Sequence, residues 1–373
     1  MNISDSLLRK DEKAIIALRS LYSRYGYVPF KMNKFEEYDL YAKNKDYLVS
    51  DSVLTFTDTN GKLMALKPDV TLSIIKNCEE HPSSLEKVYY NENVYRISKS
   101  THSFQEIMQV GLECIGDLDD YAIYEVLMLA AQSLAQISPD YILDISQLDM
   151  VQNVLNRLGA ETETRQALLK CIGEKNICGV RELCRSICAE KEIMELLCQM
   201  IETSGTPAGT IESLRKNPLS EEFREELGQL ERIAVLLNDS PLCGHIHIDF
   251  SVINDMNYYN GIVFSGFVNG IPNSILSGGQ YGRLMKKMGR SSEAIGFAVY
   301  LDFLDYLRSP SDDANDADTV LLYEDGTDLK ILRNAARRLT DAGQRVAVLR
   351  SLPENFRYQK LCRIRKDGVE TIG

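Results

Sequence analysis

The period of the apolar positions changes along the chain, and each change marks an element. Ile15, Leu18, Tyr22 and Tyr25 recur at helical spacing and Gly26 follows where a left-handed residue ends a helix, so an amphipathic helix is predicted over residues 7–25. Residues 53–57 and 62–66 are rich in strand formers and flank a polar link ending in Asn60-Gly61, which predicts a β-hairpin. Lys67-Pro68-Asp69-Val70-Thr71 then leads into Leu72, Ile74 and Ile75, and the plainer role for Asp69 is to cap a helix or charge its first turn. Strands are predicted over 88–96 and 104–115, joined by a polar loop at 97–103. In the second strand Met108, Val110, Leu112 and Cys114 share one face, while Gln109, Gly111 and Glu113 share the other. An amphipathic antiparallel strand ordinarily turns such a polar face to solvent. The alternative is a pocket floor: Gln109 and Glu113 stand about 13 Å apart along a strand, and Gly111 between them leaves room for something to lie on the sheet.

Asp119 is placed to cap an apolar helix that runs to Ala135, and residues 141–146 read as a strand. From about 147 to 238 short helical segments are broken by Gly159, Gly173, Gly179, Gly205 and Gly209, which predicts an inserted helical unit. Strand character resumes at 245–250. A polar segment, 254–260, then carries Tyr258 and Tyr259 into a β-branched strand, followed by Ser277-Gly278-Gly279-Gln280-Tyr281-Gly282. Residues 296–304 read as a buried helix, and 309–316 as a linker. Beyond it the pattern predicts a strand at 320–323, a helix over 329–342 ending at Gly343, a strand at 345–349, a helix from about Glu354 and a terminal strand at Val369. The fold class is therefore α+β: an antiparallel sheet flanked by helices over residues 1–310, interrupted by the helical insertion, and a small α/β unit over 318–373.

Composition narrows what such a fold does. With 42 Lys+Arg against 54 Asp+Glu, the formal charge of -12 argues against a broad surface that tracks nucleic-acid phosphates, tRNA included. The first residues carry no basic segment followed by an apolar one and no apolar run approaches a membrane span, so the expected compartment is the cytoplasm. Nine cysteines contain no C-x-x-C pair, and reduced thiols are expected; Cys171, Cys178, Cys184, Cys188 and Cys198 read as small buried apolar residues of the helical unit. His245 and His247 would share a strand face but lack a third ligand, so neither a metal nor another cofactor is expected.

The ordered motifs resemble the class II aminoacyl-tRNA synthetase core, and specifically the histidyl-tRNA synthetase family, over about residues 5–305. Residues 54–71 resemble the family segment ending in an acid and a threonine that bind an amino group. Residues 90–96 and 105–116 resemble motif 2, residues 254–264 and 278–281 the two histidine-specific signatures, and residues 296–304 motif 3. The resemblance implies that Asp69, standing where the family has a glutamate, holds a ligand ammonium together with Thr71 and Gln109. It implies that Glu113 and Tyr259 hydrogen-bond an imidazole and that Tyr258 lines the pocket. An ammonium needs acceptors and an imidazole needs a partner at each nitrogen, so the residue types suit the ligand.

The cations of adenylate formation are replaced. Against the family pattern, Asn254, Gln280 and Phe303 stand where arginines are expected, and the motif 2 loop carries Lys99 but no second arginine; Arg96 remains as a residual anion contact. Preorganised charge is usually the largest catalytic contribution, so no catalytic residue is assigned. A retained pocket with lost cations resembles the ATP phosphoribosyltransferase regulatory subunits, paralogues of histidyl-tRNA synthetase. That resemblance implies a short-form catalytic subunit as partner in histidine biosynthesis, histidine as effector, and a homodimer within a hetero-octamer. The alternatives are an active histidyl-tRNA synthetase and a stand-alone histidine sensor. The tail resembles an abbreviated anticodon-binding unit.

Overall fold

Leu18, Leu21 and Tyr22 form the buried stripe of α1 (Lys10–Arg24), and Gly26, at φ 82°, turns the chain out of the helix into β1 (Val28–Pro29). This computed structural model describes residues 8–45, 48, 53–78, 84–97, 103–217, 223–253, 256, 258–307, 315–365 and 368–372. The chain divides into two compact units, residues 1–307 and 308–373.

In the first unit β2 (Phe35–Glu37) and α2 (Tyr38–Ala42) precede the hairpin of β3 (Thr55–Thr57) and β4 (Leu63–Leu66), and the three strands make a small sheet in the order β2-β4-β3. Asp58 fixes the hairpin turn by accepting from the backbone of Asn60 and Lys62, both at 2.8 Å, while Gly61 takes φ 82°. α3 (Thr71–Asn77) starts just behind Asp69, whose carboxylate accepts from Leu72 N at 2.9 Å, so the acid caps the first turn as its position predicts.

β5 (Glu86–Ile97) and β6 (Phe104–Gly116) pair antiparallel from Glu86↔Ile115 to Ile97↔Phe104. α4 (Asp120–Ile137) is capped by Asp119, which accepts from Ala122 N, and leads to β7 (Tyr141–Gln147). Among the described residues six helices follow: α5 (Leu148–Arg157), α6 (Thr162–Gly173), α7 (Ile177–Ser186), α8 (Lys191–Glu202), α9 (Pro207–Arg215) and α10 (Arg224–Asn238). The chain then returns to the sheet through β8 (Ile246–Ile248), β9 (Asn260–Val268), β10 (Leu276–Gln280), the short α11 (Gly282–Lys287) and β11 (Glu293–Tyr300). Among the described residues these strands form one eight-stranded sheet, β1-β5-β6-β11-β10-β9-β7-β8, antiparallel except for the pairs β1/β5 and β7/β8.

Layers cover both faces of its centre. Val110, Leu112 and Cys114 pack with Val126, Leu127 and Ala130 of α4, while Tyr90 and Ile115 pack with Leu72 and Ile75 of α3 and with Tyr258 and Tyr281. The solvent-facing reading of the β6 polar face is thereby overturned: Gln109 is 3% and Glu113 2% exposed.

Further expectations are corrected. Residues 296–300 are strand, not helix; β11 lies between β6 and β10 with both faces covered, which erases the two-residue alternation, and only a 3-10 turn, Leu301–Tyr306, follows it. His245 lies in a 3-10 turn stacked on Tyr141 at 4.4 Å, so it shares no strand face with His247. Cys178 and Cys188 are exposed rather than buried, whereas Cys184 and Cys198 are core residues. Among the described residues no cluster of His, Cys, Asp or Glu is arranged to hold a metal, and no helix is long and apolar enough to cross a membrane.

The second unit holds β12 (Ala317–Leu322), α12 (Leu329–Asp341), β13 (Val346–Leu349), β14 (Tyr358–Arg365) and β15 (Gly368–Thr371), in the sheet order β13-β12-β14-β15. The helix expected from Glu354 is absent from the described residues; Cys362 and Ile364 point inward between Arg363 and Arg365, a strand's period.

Candidate functional site

Burial of β6 on both faces leaves Gln109 and Glu113 facing protein, and one cavity collects them. It is lined by Asp69 and Thr71 from the start of α3, Gln109 and Glu113 from β6, Tyr258 and Tyr259 from the segment before β9, and Arg96 near the end of β5. All six residues singled out as a ligand pocket thus meet, with Arg96, in one place. Tyr90, Ser277, Tyr281, Gly296 and Tyr300 complete much of the wall and were not singled out.

Glu113 is the best-held group. Its Oε1 accepts from the Thr71 hydroxyl at 2.8 Å and its Oε2 from the Tyr281 hydroxyl at 2.7 Å. Gly296 makes the space for it, since a Cβ there would lie 1.7 Å from Oε2. Burial pushes the Glu113 carboxyl up to about 8; the two hydroxyl bonds oppose the rise and nearby Asp69 adds to it. Burial likewise raises Asp69, opposed by the Leu72 N–H and then by Arg96. Thr71, having given its proton to Glu113, keeps lone pairs for another donor. Tyr258 and Tyr259 are tilted against one another with centroids 4.6 Å apart, and Tyr258 leans on Tyr281 at 6.1 Å.

Arg96 donates from Nε to Pro68 O at 3.0 Å and also bonds the Tyr300 hydroxyl. With Ser277 and Tyr300 it lines a second hollow as well, whose walls include Gln105, Asn273, Asp302 and Phe303. Phe303 sits in the 3-10 turn after β11, packed against the main core with its ring 6.2 Å from that of Tyr300. Gln280 has turned to backbone support: its Oε1 accepts from Ile262 N at 2.7 Å, where the register of β9 and β10 shifts. Asn254 and Lys99 lie outside the described residues.

Tyr90 explains Gly111. The two are cross-strand partners, and a Cβ on Gly111 would lie 2.4 Å from the Tyr90 hydroxyl and 2.2 Å from Phe297 O of β11, so the space left by the glycine is taken by that ring and that backbone. The only signal for Tyr281 was its place at the end of Gly278-Gly279-Gln280-Tyr281. Its role required Glu113, which is remote in sequence, to be packed beside it.

Three comparisons bear on ancestry. The family model described as histidyl-tRNA synthetase matches residues 3–304. A protein of Oceanobacillus iheyensis named ATP phosphoribosyltransferase regulatory subunit is 26% identical over 345 residues, covering 91% of this chain and 84% of that protein. A structure from Bacillus halodurans, described as an ATP phosphoribosyltransferase regulatory subunit/histidyl-tRNA synthetase, superposes with TM-score 0.72 at 22% identity over 95% of this chain and 93% of that one. An ATP phosphoribosyl transferase (HisG:HisZ) complex from Thermotoga maritima matches with TM-score 0.61 at 18% identity, over 81% of this chain and 98% of that one. The two structural likenesses establish a shared class II synthetase-like fold. The family match spans the sheet, the helical insertion and every residue of the cavity, and the chain belongs to the histidyl-tRNA synthetase family, with relatives named as regulatory subunits of ATP phosphoribosyltransferase.

Proposed function

We propose that this chain is the non-catalytic regulatory subunit of an ATP phosphoribosyltransferase, required by a short-form catalytic subunit for the first step of histidine biosynthesis. Free histidine bound in the β6 cavity mediates feedback inhibition. The observation that carries the reading is the contrast between the cavity and the residues around it. Asp69, Thr71, Gln109, Glu113, Tyr258 and Tyr259 meet around a buried cavity, while Gln280 and Phe303, at positions of family arginines, are committed to a backbone bond and to apolar packing. The pocket chemistry is kept and the charge that would stabilise adenylate formation is not.

In this reading Asp69, Thr71 and Gln109 accept from the ligand ammonium, Glu113 and Tyr259 bond the two ring nitrogens, Tyr258 walls the ring, and Arg96 meets the carboxylate. Nothing is done to the ligand; by binding one arrangement of the complex better than another, it shifts the assembly towards an inhibited state. The working assembly is a homodimer of this chain within a hetero-octamer in the cytoplasm, and the second unit is an abbreviated anticodon-binding-like fold. Support for a partner comes from the named relatives and from the structural neighbour solved as a complex.

The test is to add the purified chain to a short-form catalytic subunit and follow phosphoribosyl-ATP formation. Stimulation is expected, reversed by histidine with the parent chain but not with Glu113→Ala. Absence of stimulation, or histidine-dependent exchange of pyrophosphate into ATP by the chain alone, overturns the reading.

A further inference from the structure

Glu113 is a buried carboxyl whose partners are hydroxyls. Thr71 and Tyr281 donate to its two oxygens, and among the described residues no Lys, Arg or His pairs with it. The Asp69 carboxyl adds repulsion. Arg96 and Lys67 act on Asp69 instead, and Lys67 is itself paired with Glu92 at 2.8 Å. Tyr90, Tyr258, Tyr259 and Tyr281 also face Glu113, but burial pushes all four phenols well up, so they stay neutral where the carboxyl titrates. A buried carboxylate with no cation is costly. Glu113 therefore keeps a proton of its own or takes a ligand that brings one, and each oxygen has a lone pair left to receive it.

We propose that the cavity selects an amino acid with a basic ring, and that the complex holds one proton shared between the ring nitrogen and the Glu113 carboxyl. This rests on the histidine reading above and adds what that reading lacks, the charge state in which the ligand is held. In the empty cavity the proton sits on Glu113. On binding it passes along the new hydrogen bond towards the ring, leaving a carboxylate beside a ring cation, and no proton enters or leaves the site at neutral pH.

The pH dependence follows from counting protons. Free imidazole titrates near 6.5 and the empty-site Glu113 at about 8. Between those values the free site and free ligand together hold one proton, as the complex does, and affinity is flat. Above about 8 the empty site has lost its proton, so binding must take one up and affinity falls up to tenfold per pH unit. Below roughly 6.5 the free ring is protonated too, one proton must leave, and affinity falls again.

Calorimetric titration of the full chain with L-histidine from acid to alkaline pH, in paired buffers of different ionisation enthalpy, tests this on the parent and on Glu113→Gln. The parent is expected to show the plateau with no net proton exchange, and an uptake approaching one proton on the alkaline limb after the ligand's own ammonium titration is subtracted. Glu113→Gln is expected to lose that limb. Thienylalanine, which has a ring of similar shape without a basic nitrogen, is expected to bind about a hundredfold or more weaker than histidine. Coincident alkaline limbs in the two proteins, or thienylalanine binding as well as histidine, overturn the shared proton and leave the histidine reading standing. If Glu113→Gln does not fold, the parent decides alone, since no proton uptake on its alkaline limb is enough to reject the proposal. Failure of the parent chain to bind histidine, alone or with the catalytic subunit, removes the underlying reading and this proposal with it.

Discussion

Gln280→Arg introduces the cation that the resemblance to the glycine-glycine-arginine-tyrosine signature leads one to expect at this position, and it is expected to cost stability. At this point β9 and β10 slip in register, and Ile262 N takes the Gln280 side-chain oxygen at 2.7 Å as its acceptor. Gln280 is 8% and Ile262 0% exposed, so water is not available to replace the bond. On the other side Gly261, at φ 59°, lies so close that a Cβ there would be 2.4 Å from the same oxygen. Arginine has only donors and cannot serve Ile262 N. Leaving a buried N–H unpaired costs about 1–3 kcal/mol, and crowding a longer charged side chain against Gly261 adds to it. A total of about 2–3 kcal/mol corresponds to a drop of roughly 3–5 °C in the thermal midpoint for a unit of about 300 residues. Gln280→Met separates the causes, because it removes the acceptor without adding charge and is expected to lose the smaller share. Thermal unfolding followed by circular dichroism, checked by urea midpoints, is the assay. Arginine and methionine variants both melting with the parent would refute the account of Gln280 as support for the bulge.

Other substitutions probe the same construction. Gly296→Ala places a methyl 1.7 Å from Glu113 Oε2 and 2.5 Å from Leu112 O, and since the latter is backbone the sheet must shift; a loss of about 3 kcal/mol or more is expected from denaturant midpoints. Asp119→Ala removes the acceptor of Ala122 N at 2.8 Å and is expected to cost about 1 kcal/mol in the same assay, with ligand binding unchanged. Glu113 binds its proton more tightly folded than unfolded, with a carboxyl raised from 4.5 to about 8, so its contribution to stability is fully present below 4.5 and is lost as pH rises towards 8. By neutral pH this amounts to at most roughly 3 kcal/mol, and the slope is expected to vanish in Glu113→Gln when urea midpoints of the two proteins are compared across that range.

What could be read in advance depended on whether the information lay within one element. The alternation of β6 separates Met108, Val110, Leu112 and Cys114 from Gln109, Gly111 and Glu113 because successive side chains of a strand point to opposite faces. Whether the polar face meets water depends on what covers it, and here the cover comes from α3, Tyr258 and Tyr281, distant in sequence. The turn at Gly61 and the cap at Asp119 were legible for the same local reason. β11 was not, because burial on both sides leaves a continuous apolar run that a helix would share. Gly111 signalled that something bulky approaches the sheet, but only the register of β5 against β6 names Tyr90 as the occupant. Gln280 could be seen as an arginine missing from a pattern, and its actual work appears only once Ile262 stands across the bulge.

The contacts that hold the cavity also tie it to the helical insertion. Tyr281, which donates to Glu113, precedes α11 directly, and two residues on Arg283 reaches Asp149 at 2.9 Å and Gln152 at 2.7 Å, both on α5. Asp149 in turn accepts from Gly261 N at 2.9 Å, just after Tyr258 and Tyr259, while Asn260 accepts from Arg283 N at 3.1 Å. Two walls of the cavity are therefore anchored on one helix end. Arg283 and Asp149 are partly exposed, so the pair adds little to stability by itself. Its consequence is geometric: α5, the first helix of the insertion, cannot move relative to α11 without breaking bonds next to both Glu113's hydroxyl donor and the paired tyrosines.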